Sequence, residues 1–70
     1  MAGQISSLST FIKEKRKQAN LTQPALAAKA GVGLRFIRDL EQGKSTLKMD
    51  KVNQVLKLFG HELGPTPLNR

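Results

Sequence analysis

Arg35 and Arg38, in the segment LRFIRDLEQG, carry the clearest chemistry in this chain. A guanidinium is a planar fork of donors that can grip O6 and N7 of a guanine, a contact that discriminates against a wrong base by roughly 1 to 3 kcal/mol. On one helix the two side chains share a face, because residues three apart are neighbours there. Gly33, Leu34 and Asp39 complete the set expected near the start and along the outer side of that helix. Leu34 is placed to meet a thymine methyl, and Arg38 to read a second guanine or a phosphate. Asp39 follows Arg35 by four residues, so an ion pair orienting that guanidinium is the simpler expectation, with acceptance from a cytosine amino group the sharper one. The bland alternative is that arginines on a basic surface are merely solvated.

Other chemistries find little support. There is one His, no Cys and no Tyr, and the carboxylates Glu14, Asp39, Glu41, Asp50 and Glu62 show no spacing suited to an acid and base pair or to a metal. His61 reads as a surface residue. Gly31 and Gly33 belong to a turn between helices rather than to a phosphate-cradling loop. The expectation is therefore no enzyme, no metal and no cofactor.

With 12 Lys plus Arg against 5 Asp plus Glu in 70 residues, a net charge of +7 attracts polyanions, either nucleic acid or an anionic membrane surface. No run approaches the roughly 20 apolar residues of a membrane span. The start MAGQISS lacks a charged region followed by an apolar core, so no signal peptide is expected, and a cytoplasmic, nucleoid-associated location follows. The absence of Cys excludes disulfides and thiolate metal sites. A chain this short is expected to be one domain near the lower limit for building its own core, so dimerisation would help, and no ligand-sensing domain is expected.

The elements that must position the arginines are helices. Over residues 21–43 Ala27 lacks bulk where two short helices would touch, Gly31 falls in the turn, and Ile37 and Leu40 anchor the second helix from beneath. That spacing predicts a helix-turn-helix. Thr22 is a good N-cap, and Pro24 is tolerated in the first turn of a helix ending near Ala30. Leu26, Ala27 and Ala30 must supply its packing, with Val32 plugging the turn. Gly33 would cap the next helix, residues 34–42, and Gly43 end it with a left-handed residue. Phe36, between the inward and outward directions, is read as partly buried, with contact to the sugar-phosphate edge as the alternative.

Before this unit, Ser6 or Ser7 could cap a first helix running to about Gln18, in which Leu8, Ile12 and Arg16 share a face. The cluster Lys13, Lys15, Arg16 and Lys17 reads as a solvated helix face, with a phosphate contact from one of them the sharper alternative and Arg16 set apart by its place on the apolar stripe. After a loop over residues 44–47, Met49, Val52, Val55, Leu56 and Phe59 have the spacing of a fourth amphipathic helix that ends at Gly60. His61 to Leu63 is long enough for a short strand, and the prolines of the tail, residues 65–70, prevent a further helix. The expected division is an arm over residues 1–5, a helix-turn-helix domain over 6–60, and a strand and tail over 61–70. Backbone phosphate contacts are expected from Gln23, Gln42, Lys44, Thr46 and Lys48, at the start of the second helix and in the loop after the third.

The combination Thr22, Gln23, Leu26, Ala27, Gly31, Ile37, Glu41 and Gly43 resembles the phage-repressor and Cro type of DNA-binding domain, the XRE family, over roughly residues 8 to 60. The resemblance implies an all-α, lambda-repressor-like bundle of four or five helices that binds a palindromic operator in double-stranded DNA as a homodimer. It also implies an ion pair between Arg16 and Glu41 inside the domain. Ala25 departs from the pattern, since the family often has Glu there, and a reciprocal capping box is absent. The segments LRFIRDLEQG, KMDKVNQVLKLFG and HELG resemble more particularly the HipB-type antitoxins. That likeness implies a repressor of its own operon, a HipA-like serine/threonine kinase toxin as partner, and a short strand pairing with its copy across a dimer, for which Phe59 and Leu63 are the interface candidates. A stand-alone repressor without a toxin, and an adaptor that binds protein, are the alternatives.

Overall fold

The computed structural model describes residues 4–44 and 46–65. Among them are four helices, α1 (Gln4–Gln18), α2 (Gln23–Ala30), α3 (Leu34–Glu41) and α4 (Met49–Leu58), and no strand. The architecture is all-α, as the spacing of apolar residues predicts. Helix α2 packs on α3 and α4, and α1 packs across α3. Their shared core is Ile12, Leu26, Ala27, Ile37, Leu40, Val52, Val55 and Leu56.

Helices α2 and α3 have 8 residues each, too few to persist alone, so their ends and their packing must hold them. At the start of α2, Thr22 is extended and its Oγ1 accepts from the Ala25 N–H at 3.2 Å. At its end Gly31 is left-handed, with φ of 74°; its N–H reaches the Ala28 carbonyl while the Val32 N–H reaches that of Ala27. This paired closure satisfies carbonyls that the helix leaves orphaned. The same pattern closes α3 through Gly43 and α4 through Gly60, and α1 through Asn20, a residue type that tolerates the left-handed region. Gln54 of α4 fastens the turn from outside, its Nε2 donating to the Ala30 carbonyl at 3.1 Å.

Ala27 is buried in the core of the bundle, on α2, which packs against α3. Leu8, Ala30, Val32, Leu34, Phe36, Phe59 and Leu63 are half-buried around the core.

Several expectations are corrected. Helix α1 begins at Gln4, so Ser6 and Ser7 lie within it rather than cap it. Met49 is 69 % exposed: it is the first residue of α4, a turn ahead of Val52, where that helix first reaches the core. The segment His61 to Leu63 is not a strand in the single chain; the Leu63 N–H donates instead to Asn53 Oδ1 at 2.7 Å, which folds the segment back onto α4. Residues 1–3 of the expected arm, Ser45 of the loop and residues 66–70 of the tail lie outside the described residues.

Because Ala27 is surrounded by packed side chains, Ala27→Leu is expected to destabilise the fold by about 1 to 3 kcal/mol. Urea unfolding should show a lower midpoint at unchanged slope. An unchanged midpoint would mean that the packing around Ala27 is not tight.

Candidate nucleic-acid interface

The inner face of α3 is fixed by Ile37 and Leu40, both essentially without exposure, and by Glu41, which is 5 % exposed. A buried carboxylate is costly unless its oxygens are occupied by donors. Here they are. Arg16 of α1 donates through Nε to Glu41 Oε2 at 2.7 Å and through Nη2 to Oε1 at 3.0 Å, a two-point clamp. Its Nη1 donates to the Leu21 carbonyl at 2.9 Å, and Gln23 Nε2 adds a third bond to the carboxylate at 3.1 Å. Arg16 lies on the stripe of Leu8 and Ile12, and its place there follows from the carboxylate it serves.

The hydrogen bond to Glu41 is the main reason that the Arg16 pKa is raised, outweighing the desolvation that would lower it. A raised folded-state value stabilises the protein below the unfolded value and is lost only as pH climbs through the folded one. For an arginine that window lies far into alkali, so the clamp's cation is constant at ordinary pH.

The opposite face of α3 carries Arg35 and Arg38, both exposed, and with Asp39 and Gln42 they line a shallow recess of about 240 Å³. Gly33 caps the helix without a side chain, and a Cβ built there meets nothing within 4 Å, so the backbone at this end is open to approach. Leu34 is half-buried against the core, leaving only part of its side chain for an outward contact. Phe36 is likewise half-buried. Asp39 does not pair with Arg35: its Oδ2 lies 3.5 Å from Lys44 Nζ. The αL closure at Gly43 turns Lys44 back toward the helix end, its N–H bonding the Asp39 carbonyl at 3.1 Å, and that turn brings the two charges together.

Of the expected phosphate contacts, Gln42, Lys44, Thr46 and Lys48 are exposed on the α3 to α4 connection. Gln23 is half-buried, and the amide of its side chain faces Glu41 rather than solvent. This was not legible from sequence, where a glutamine opening a helix gives no hint of a partner 18 residues away. Phe59 and Leu63 both pack against the core of their own chain. Phe11, which sequence reasoning passed over, meets the His61 ring edge-on at 4.8 Å and has Lys15 Nζ 5.6 Å from its centroid. Among the described residues no helix is long and apolar enough to cross a membrane.

Two short helices joined by a glycine turn, the second presenting arginines outward, define a helix-turn-helix DNA-binding module. The chain belongs to the helix-turn-helix family, whose model matches residues 12–63. It is 49 % identical over 55 residues to y4mF, an uncharacterized helix-turn-helix-type transcriptional regulator of Sinorhizobium fredii (strain NBRC 101917 / NGR234), a match that covers 79 % of this chain and 72 % of that protein. The class is therefore that of DNA-binding transcription regulators.

Removing the carboxylate strands a guanidinium whose side chain is only 14 % exposed. Glu41→Ala is expected to cost about 3 kcal/mol, the lower end for breaking a buried pair because Arg16 keeps some contact with water. Thermal unfolding reads this directly, and an unchanged melting temperature would contradict the clamp.

Proposed function

We propose that the chain is a sequence-specific transcriptional repressor acting as a homodimer on a palindromic operator. Two α3 helices enter major grooves on one face of the duplex, their centres about 34 to 36 Å apart or a multiple of it. The observation that carries this reading is the division of α3 into a face locked by Ile37, Leu40 and Glu41 and a face on which Arg35 and Arg38 stand free of ion pairs among the described residues. Arg35 reads a guanine, and Arg38 reads a second guanine or a phosphate. Gly33 lets the start of the helix approach the base edges, and the exposed part of Leu34 meets a thymine methyl. Asp39 faces the same groove. Gln42, Lys44, Thr46 and Lys48, with the main-chain N–H groups that open α2 at Gln23, hold the phosphates on either side. Occupancy of the operator excludes other proteins from it, which is repression.

We further infer that a second copy docks through α4 and the segment after it, with Phe59 and Leu63 at the contact. The regulatory setting we favour is a toxin-antitoxin operon, in which the chain represses its own genes and neutralises a HipA-like kinase. The likeness of LRFIRDLEQG, KMDKVNQVLKLFG and HELG to HipB-type antitoxins supports that setting.

Arg35→Ala should cost about 1 to 3 kcal/mol at one base pair of a selected operator and relax the preference there. Equal weakening on every sequence would contradict base reading, and failure of the unmodified protein to select any site would favour an adaptor. A pull-down of the tagged chain from its host after nuclease treatment should recover a kinase-like protein in stoichiometric amount. Recovery of the chain alone would leave a repressor without a toxin.

A further inference from the structure

The recess on the outer face of α3 holds a carboxylate among cations, and that arrangement carries more information than two free arginines would. Asp39 has about a quarter of its side chain exposed and lines the recess with Arg35, Arg38 and Gln42. Its only ion pair among the described residues is with Lys44, whose own side chain is about half exposed. Lys44 is thus joined to Asp39 twice, through the 3.5 Å ion pair and through the bond of its N–H to the Asp39 carbonyl at 3.1 Å. The expected partner, Arg35, is left available to an outside acceptor.

An ionised carboxylate only accepts hydrogen bonds. In a major groove the edges that can satisfy it are the amino groups of cytosine N4 and adenine N6; guanine O6 and N7 and thymine O4 would be repelled. Bare, it would also be repelled by the flanking phosphates. The neighbouring ammonium offsets that repulsion while leaving the outer lone pairs of the carboxylate open. Four residues of helix separate Arg35 from Asp39 by about 6 Å, which is close to two base steps of about 3.4 Å.

Resting on the base-reading role of α3, we propose that Asp39 and Lys44 form one specificity element that selects the orientation of a base pair, with its amino-bearing base, cytosine or adenine, on the strand that faces the carboxylate within about two steps of the guanine read by Arg35. Lys44 is then a positioning residue for base choice and not only a phosphate contact. Asp39 reads the donor, Arg35 reads the acceptors, and the pair of demands excludes sites in which guanine or thymine, rather than cytosine or adenine, faces the carboxylate.

The test is selection of sites from a randomised duplex library by the full chain and by its Asp39→Ala, Lys44→Ala and Lys44→Arg variants, each checked for unchanged circular dichroism. The unmodified chain is expected to prefer cytosine or adenine over guanine or thymine on one strand by roughly tenfold at one position within about two steps of a guanine, and the enriched base tells which amino group is read. Asp39→Ala should abolish that preference and leave the guanine preference intact. Lys44→Ala should blunt the same position, and Lys44→Arg should restore it. Weakening by Asp39→Ala with the base profile unchanged, or a Lys44→Ala variant that loses affinity while keeping the amino preference sharp, would overturn the proposal. Enrichment of no sequence by the unmodified chain would instead overturn the base reading beneath it.

Discussion

The carboxylate of Glu41 joins three helices at one point: Arg16 reaches it from α1, Gln23 from the start of α2, and Glu41 itself ends α3. A charge at 5 % exposure is tolerable only while those donors stay in place. Their directional geometry fixes what apolar packing leaves loose. Ile37, Leu40 and Leu26 hold the helices together, but side chains of that kind permit small slides and rotations; a two-point guanidinium clamp does not. The angle at which α3 presents its arginines therefore depends on a contact on its opposite side.

That dependence suits elements as short as these. Neither α2 nor α3 would persist alone, and each is closed by the same αL pattern, at Gly31 and Gly43, before the chain turns. The turn at Gly43 does more than stop α3, since it returns Lys44 to Asp39 and so shapes the charge pattern at the outer face. Local backbone chemistry and the candidate interface are in this way the same feature seen at two scales.

Much of the fold was legible because it rests on near-neighbour rules. Thr22 as a cap, Ala27 in the core and the glycines at the helix ends each follow from what one residue type can do. The misses have a different origin. Met49 fits the apolar period of α4 yet stands outside the bundle, because periodicity cannot say at which turn a helix first reaches the core, here at Val52. Gln23 and Asp39 found partners other than those expected: one is drawn inward to a carboxylate buried by tertiary packing, the other to a lysine delivered by a turn. At the site, the direction of Arg35 and Arg38 away from Ile37 and Leu40 could be read from spacing alone, whereas the charge partners on that face could not.

The central claim is that α3 reads base edges in the major groove, and methylation interference on a selected duplex tests it most directly. Methyl groups at guanine N7 project into the major groove, where Arg35 would bind, while those at adenine N3 lie in the minor groove. The account predicts that N7 methylation at one or more operator guanines blocks binding and that N3 methylation between the same contacts does not. Binding indifferent to N7 methylation and sensitive to N3 methylation would contradict it.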